Sequence, residues 1–277
     1  MKVKLASSYG FCFGVKRAIK IAEEYKNSST MGPLIHNTNE IDRLKNDYNV
    51  GLYNSLDEVK DNDTIIIRTH GIPKFDLKNL KAKDAKVINA TCPFVTTPQQ
   101  IVKKMSAEEY SIVIFGDKDH PEVLGVQSYA KDQDDVFVIL EPEDLKKIKF
   151  KYSKIATIAQ TTKKKEKYLE IVNTLIPKNK EVRVFNTICD ATFENQDAAR
   201  ELSKEVDIMI VIGGKNSSNT KQLLNISKEN CIDSYLLEDE RELDPQWFKD
   251  KKLCGITAGA STPDWVIQKV VNQVEAY

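Results

Sequence analysis

The 277-residue chain contains no long apolar run. Nothing approaches the roughly 18 apolar residues of a membrane span. The opening Met1-Lys-Val-Lys-Leu-Ala-Ser-Ser-Tyr-Gly has none of the apolar stretch of a signal peptide. Charge of one sign is also missing, since 41 Lys and Arg are balanced by 41 Asp and Glu. With no basic half or tail, binding to nucleic acid through a large phosphate footprint is excluded. Close cysteine pairs are absent too, so the five cysteines do not form a disulfide framework. These absences predict a soluble, cytoplasmic protein with no membrane and no nucleic-acid partner. What is present is a 41% apolar fraction, ample for buried cores, so disorder is excluded as well.

Short β-branched runs recur at 64–67, 87–89, 112–115, 136–140, 155–158, 182–185, 208–212, 235–237 and 253–257, with helix-like polar/apolar segments between most of them. This pattern predicts an α/β fold with mainly parallel sheets, its strands buried on both faces. Two segments repeat each other. Asn89-Ala-Thr-Cys92-Pro-Phe-Val-Thr-Thr-Pro-Gln99 and Asn186-Thr-Ile-Cys189-Asp-Ala-Thr-Phe-Glu-Asn-Gln196 share Asn, Cys and Gln at the same offsets, each after a strand and before a helix. Cys12 lies in the same kind of place, ahead of a helical segment at 16–25. The intervals of 80 residues from Cys12 to Cys92 and 97 from Cys92 to Cys189 suggest three similar α/β modules, each bringing one cysteine to a strand's carboxyl end. In open α/β sheets, ligands bind at that edge. The run 146–154, with five lysines in nine residues, reads as a solvated face or, more sharply, as a docking patch for an acidic electron carrier.

All three histidines sit in strand-end or turn contexts: His36 before Asn37, His70 before Gly71, His120 before Pro121. That setting points to site residues. Glu122, just beyond His120 and Pro121, is a candidate carboxyl for proton transfer, or else a first-turn glutamate stabilising a helix N-terminus. The stretch Gly213-Gly-Lys-Asn-Ser217-Ser218-Asn219-Thr220 leaves a strand through two glycines and opens a helix with more hydroxyl and amide groups than capping needs. Ser217, Ser218 and Asn219 form a neutral cradle for an anion. Ser261 and Thr262, before Pro263, repeat the design. Two cradles and three imidazoles suggest a small, highly charged ligand such as a diphosphate. The thiols of Cys12, Cys92 and Cys189 allow a Cys₃His zinc site, one nucleophile with two bystanders, or three ligands of a [4Fe–4S] cube. Cys231 and Cys254, in or beside strand runs, are expected in the core.

In order along the chain stand G-F-C-F-G-V, G-P-L-I-H-N, R-T-H-G, A-T-C-P, H-P-E-V-x-G, Q-T-T, I-C-x-A-T, K-N-S-S-N-T and T-A-G-A-S-T-P. Together these motifs resemble the 4-hydroxy-3-methylbut-2-enyl diphosphate reductase family (IspH, also called LytB), over the whole chain. The resemblance implies three α/β modules (14–91; 92–187; 188–277 completed by 1–13) in pseudo-threefold arrangement around a central iron–sulfur cluster. It implies a [4Fe–4S] cluster held by Cys12, Cys92 and Cys189 with one iron open, and diphosphate binding by His36, His70, His120, Ser217, Ser218, Asn219 and Ser261. Glu122, Thr161 and His120 become the catalytic candidates, with Thr161 near the substrate hydroxyl, and Thr192 matches the threonine of I-C-x-A-T. Implied too is reduction of the allylic diphosphate to isopentenyl and dimethylallyl diphosphate, the last step of the methylerythritol phosphate route, fed by an electron-donor protein such as flavodoxin or ferredoxin. An aconitase-like hydro-lyase and a zinc-containing phosphate-binding protein are the rival readings. Two positions depart from the family pattern. Asn195 stands where many members have arginine. Gly214 stands where serine is common, and is expected to be inconsequential because both residues suit a tight turn.

Overall fold

The computed structural model describes residues 1–277, except that the side chain of Thr192 lies outside the described residues. Three four-stranded sheets organise the chain, and every strand pairing in them is parallel. One has the order β3-β2-β4-β5, from β2 (Ser29–Met31), β3 (Gly51–Tyr53), β4 (Thr64–Ile67) and β5 (Lys86–Asn89). A second runs β7-β6-β8-β9, from β6 (Ser111–Phe115), β7 (Val136–Ile139), β8 (Lys154–Ala159) and β9 (Glu181–Val184). The third runs β11-β10-β12-β1, from β10 (Ile208–Ile212), β11 (Ser234–Leu237), β12 (Leu253–Ala258) and the N-terminal β1 (Lys2–Leu5). If each sheet's strands are numbered by chain order, taking β1 as last in its sheet, all three have the order 2-1-3-4. The reversal falls between the first and third strands, the place where open α/β sheets bind ligands.

The helices repeat with the strands. First strands lead into α2 (Thr38–Tyr48), α5 (Pro121–Gln127) and α8 (Ser218–Lys228). Third strands lead into α3 (Lys74–Ala82), α6 (Lys165–Leu175) and α9 (Asp264–Glu275). Last strands lead through the cysteines into α4 (Pro93–Ala107), α7 (Asp190–Ser203) and α1 (Phe13–Glu24).

Composition explains which strands are central. Ser-Ile-Val-Ile-Phe of β6 and Ile-Met-Ile-Val-Ile of β10 are buried at every position, as strands covered on both faces must be. The strands that precede the cysteines, Lys-Val-Lys-Leu, Lys-Val-Ile-Asn and Glu-Val-Arg-Val, are sheet edges with charged, part-exposed residues. Charge there discourages pairing with another chain. In the third sheet, Ile208, Ile210 and Ile212 face Val266, Ile267, Val270, Val271 and Val274 of α9, whose spacing makes one apolar stripe. The alternate Met209 packs on the opposite face with Ala198, Leu202 and Cys231. Truncating a buried Ile such as Ile256 here would cost about 2–5 kcal/mol.

By contact density the chain forms two compact units. One comprises Met1–Lys20, Ile35–Asn49 and Asp190–Tyr277, and holds the third sheet. The other comprises Ile21–Leu34 and Val50–Cys189, and holds the first and second. All nine expected strand runs are strands; of the other three, β1 was expected only as a short strand ahead of Cys12, and β2 and β3 were not expected. Each has only three residues, Ser-Thr-Met and Gly-Leu-Tyr, too short and too mixed to show alternation. Helix α1 also begins at Phe13, ahead of the expected 16.

Candidate active site

The three cysteines share one local structure. Cys92 is the N-cap of α4, and Cys12 and Cys189 immediately precede α1 and α7. Each follows an edge strand and donates its backbone N–H to the loop leaving the neighbouring strand: Cys12 to the Ala260 carbonyl at 3.2 Å, Cys92 to Thr69 at 3.0 Å, Cys189 to Thr161 at 2.9 Å. Those acceptors adjoin or belong to the expected site residues Ser261, His70 and Thr161. All three are thiols outside any disulfide, at helix starts whose N–H groups favour negative charge. Three such thiols are a donor set whose chemistry fits a metal or iron–sulfur group. Cys231 and Cys254 are core residues, and burial pushes the Cys254 thiol up to about 12.

In the second sheet, β6 runs through Gly116 to His120, the N-cap of α5, whose Nδ1 accepts the Glu122 N–H at 3.2 Å. An accepting Nδ1 places the ring proton of neutral His120 on Nε2. The His70 ring meets it edge-on, with centroids 5.5 Å apart. Glu122 is 2% exposed. Its Oε1 accepts the Thr161 N–H at 2.7 Å and its Oε2 accepts the Thr161 hydroxyl at 2.7 Å. Desolvation raises the Glu122 carboxyl above its ordinary value, overcoming the two Thr161 hydrogen bonds and the nearby Lys163 charge, which pull the other way. On protonation the bond to the Thr161 hydroxyl can reverse, because a hydroxyl both donates and accepts. A proton held at Glu122 thus borders Thr161, whose carbonyl takes the Cys189 N–H.

In the third sheet, β10 leads into Gly213, where φ is +152°, and the hydroxyls of Thr220 and Thr262 lie 2.7 and 2.9 Å from where a Cβ would be. Ser217 caps α8 by accepting the Thr220 N–H at 3.3 Å. Asn219, 5% exposed, has neither its amide nitrogen nor its amide oxygen hydrogen-bonded. A buried amide left this way costs about 1–3 kcal/mol, and so points to a ligand. Thr262 binds the loop carrying Ser261 to β10, its hydroxyl donating to the Ile212 carbonyl at 3.0 Å. His36 lies beside this cradle, because a Cβ on Gly214 would fall 2.3 Å from the His36 carbonyl oxygen. The expectation that Gly214 is interchangeable with serine is therefore wrong for this chain. Any side chain there meets backbone, and the His36 turn must move.

Asn195 is 3% exposed and accepts the Ser8 hydroxyl at 2.7 Å, so the position has become a buried, neutral hydrogen bond. The lysine run 146–154 is broken up locally, with Lys151 paired to Asp132 and Lys154 bonded to the Glu108 carbonyl. A cleft of about 610 Å³ opens beside β7, lined by Asp117–Asp119 and Lys147 among others, and leaves out Glu122 and Thr161. The sequence reading missed Lys163, paired with Asp117 at 2.8 Å beside the Glu122 carboxyl. It also missed Glu40 and Trp265, which are joined by a 3.0 Å hydrogen bond. Nothing in a single sequence marks a lysine or a helix-start glutamate as site support.

Fold and site define an α/β protein of three parallel sheets of one strand order, each presenting a thiol and polar side chains at its carboxyl edge. A family model described as LytB protein matches residues 3–275. The 4-hydroxy-3-methylbut-2-enyl diphosphate reductase of Sulfurovum sp. is 62% identical over 276 residues, with 100% of this chain and 99% of that protein covered. The protein of the same name from Nitratiruptor sp. is 64% identical over 275 residues, covering 99% and 98%. Among solved structures, (E)-4-hydroxy-3-methyl-but-2-enyl diphosphate reductase, described as the terminal enzyme of the non-mevalonate pathway, matches with TM-score 0.74 at 43% identity, covering 100% of both chains. The Plasmodium falciparum E-1-hydroxy-2-methyl-but-2-enyl-4-diphosphate reductase matches with TM-score 0.90 at 29% identity, covering 98% of this chain and 87% of that one. This chain belongs to the LytB protein family.

Proposed function

We propose that the chain is an oxidoreductase that removes the hydroxyl of 4-hydroxy-3-methylbut-2-enyl diphosphate by reduction, giving isopentenyl diphosphate and dimethylallyl diphosphate. This is the last step of the methylerythritol phosphate route. The observation that carries the reading is the chain of hydrogen bonds from buried Glu122 through Thr161 to the backbone of Cys189, which ties a carboxyl raised by desolvation to a residue that carries a thiol. Cys12, Cys92 and Cys189 would hold a [4Fe–4S] cluster by three irons. Bound there, the cluster would supply electrons and, at its open iron, Lewis-acid contact to the C4 oxygen.

The chain's own residues bind, orient and move the proton. His36, His70 and His120 with Ser217, Ser218, Asn219 and Ser261 take the diphosphate, and anchoring it fixes where the far hydroxyl lies. Glu122 gives its proton to the departing C4 oxygen, with Thr161 as relay and His120 at its side. The C4–O bond breaks, two electrons and two protons enter, and water leaves. A carrier protein such as flavodoxin or ferredoxin delivers the electrons, in the cytoplasm. No helix among the described residues is long and apolar enough to cross a membrane. The common strand order and shared cysteine geometry support three modules, 14–91, 92–187 and 188–277 completed by 1–13.

The test is anaerobic purification with iron and sulfide analysis, and an assay for reduction of the allylic diphosphate, on wild type and Cys92→Ser. The reading expects about four irons per wild-type chain, loss of iron in the variant, and turnover only with iron. A zinc-containing protein that takes up no iron on reconstitution would contradict it.

A further inference from the structure

Glu40 is a carboxylate 1% exposed, in the first turn of α2, three residues beyond the N-cap Asn37 and four beyond His36. A glutamate at that place ordinarily reaches back to the capping residue's N–H and closes a capping box. Glu40 does not. One oxygen accepts the Trp265 indole N–H at 3.0 Å, and the other accepts the Arg43 guanidinium at 2.6 and 3.0 Å. Burying a carboxylate is costly unless it is paired and hydrogen-bonded, and here the pairing joins two helices. Trp265 stands in the first turn of α9, four residues after Ser261.

Two further contacts complete the pattern. The His36 backbone seats against Gly214 in the turn that leads to Ser217–Asn219, and Thr262 ties the Ser261 loop to the end of β10. The His36, Ser217–Asn219 and Ser261 segments, three of the five that carry candidate anion ligands, are thus tied together, and Glu40–Trp265 links the His36 segment to the Ser261 segment. We propose that Glu40 and Trp265 are positioning residues, which hold His36 and Ser261 at a fixed separation so that the cradle is already shaped for a diphosphate. The proposal rests on the functional reading above. Preorganisation of this kind improves binding by removing the cost of ordering the loops.

The test is calorimetric titration of the anaerobically purified full chain with inorganic diphosphate, alongside KM and kcat for the allylic substrate. Trp265→Phe keeps the ring and removes the donor. It is expected to raise Kd and KM roughly tenfold, with kcat within about twofold. Glu40→Gln retains a carbonyl acceptor and should restore most of the affinity lost in Glu40→Ala. Glu40→Ala combined with Trp265→Phe should be no weaker than the worse single variant, since both remove one contact. A folded Trp265→Phe or Glu40→Ala protein with wild-type iron content, Kd and KM overturns the tie, as does a loss confined to melting temperature. Wild-type protein that binds no diphosphate overturns the functional reading, and the tie with it.

Discussion

Glu122 and Asn219 are buried to a similar degree, 2% and 5% exposed, but the chain treats their polar atoms in opposite ways. Both oxygens of Glu122 are bonded to Thr161, whereas both amide atoms of Asn219 lack a hydrogen-bond partner. The first arrangement is complete without ligand, and desolvation keeps its acid form to higher pH than an ordinary glutamate. The second is incomplete, and a bound anion accepting from the amide nitrogen would offset part of its cost. On the proposed function, the contrast separates rate from affinity: the carboxyl would govern the proton step, and the cradle would govern binding.

The largest effect should come from the thiols. Cys189→Ser should lose iron and all measurable turnover, read by metal analysis and assay, because both regions depend on the cluster proposed for Cys12, Cys92 and Cys189. Next, Glu122→Gln should lower kcat by about 10²–10⁴-fold while leaving the affinity for inorganic diphosphate unchanged. Asn219→Leu should do the reverse, raising KM roughly tenfold with kcat little changed. Because it removes an unsatisfied buried amide, it should also leave the melting temperature of the ligand-free protein equal or higher.

Two smaller effects concern protonation. Burial raises the Glu122 carboxyl above its ordinary 4.5. A rate that needs the acid form must therefore fall as pH rises through the raised value, and Glu122→Gln should lack that limb. Thr161→Val removes a hydrogen bond that lowers the value, so its limb should move to higher pH in a kcat profile. The same shift is a stability statement. Stability present below the ordinary value is lost as pH rises through the raised one, since the folded state binds more protons there than the unfolded state. Denaturant midpoints measured across that window should slope downward for wild type and less for Glu122→Gln.

Much of the fold could be read from the sequence because its central strands are continuous β-branched runs and its sheets are parallel, so burial on both faces leaves a plain signal at 112–115 and 208–212. Residues 29–31 and 51–53 gave no such signal. Short strands with Ser29, Thr30 and Gly51 depend on neighbours in the sheet, which no local pattern records. The repeated Asn, Cys and Gln offsets revealed the strand-to-helix setting of Cys92 and Cys189, and the structure adds the common amide bond to the adjacent loop. The glycine at 214 was misread because turn propensity considers only φ and ψ, whereas the constraint is a backbone from elsewhere in the chain. Glu40 was invisible for a related reason: its capping position is ordinary, and only the tertiary partner Trp265 distinguishes it.

The measurement that tests the account most directly is the pair of constants for Glu122→Gln, turnover of the allylic diphosphate and Kd for inorganic diphosphate, on iron-replete anaerobic protein. The account predicts a kcat at least about a hundredfold below wild type with an unchanged Kd. Near-normal turnover, or a lost Kd with turnover preserved at saturation, would contradict it.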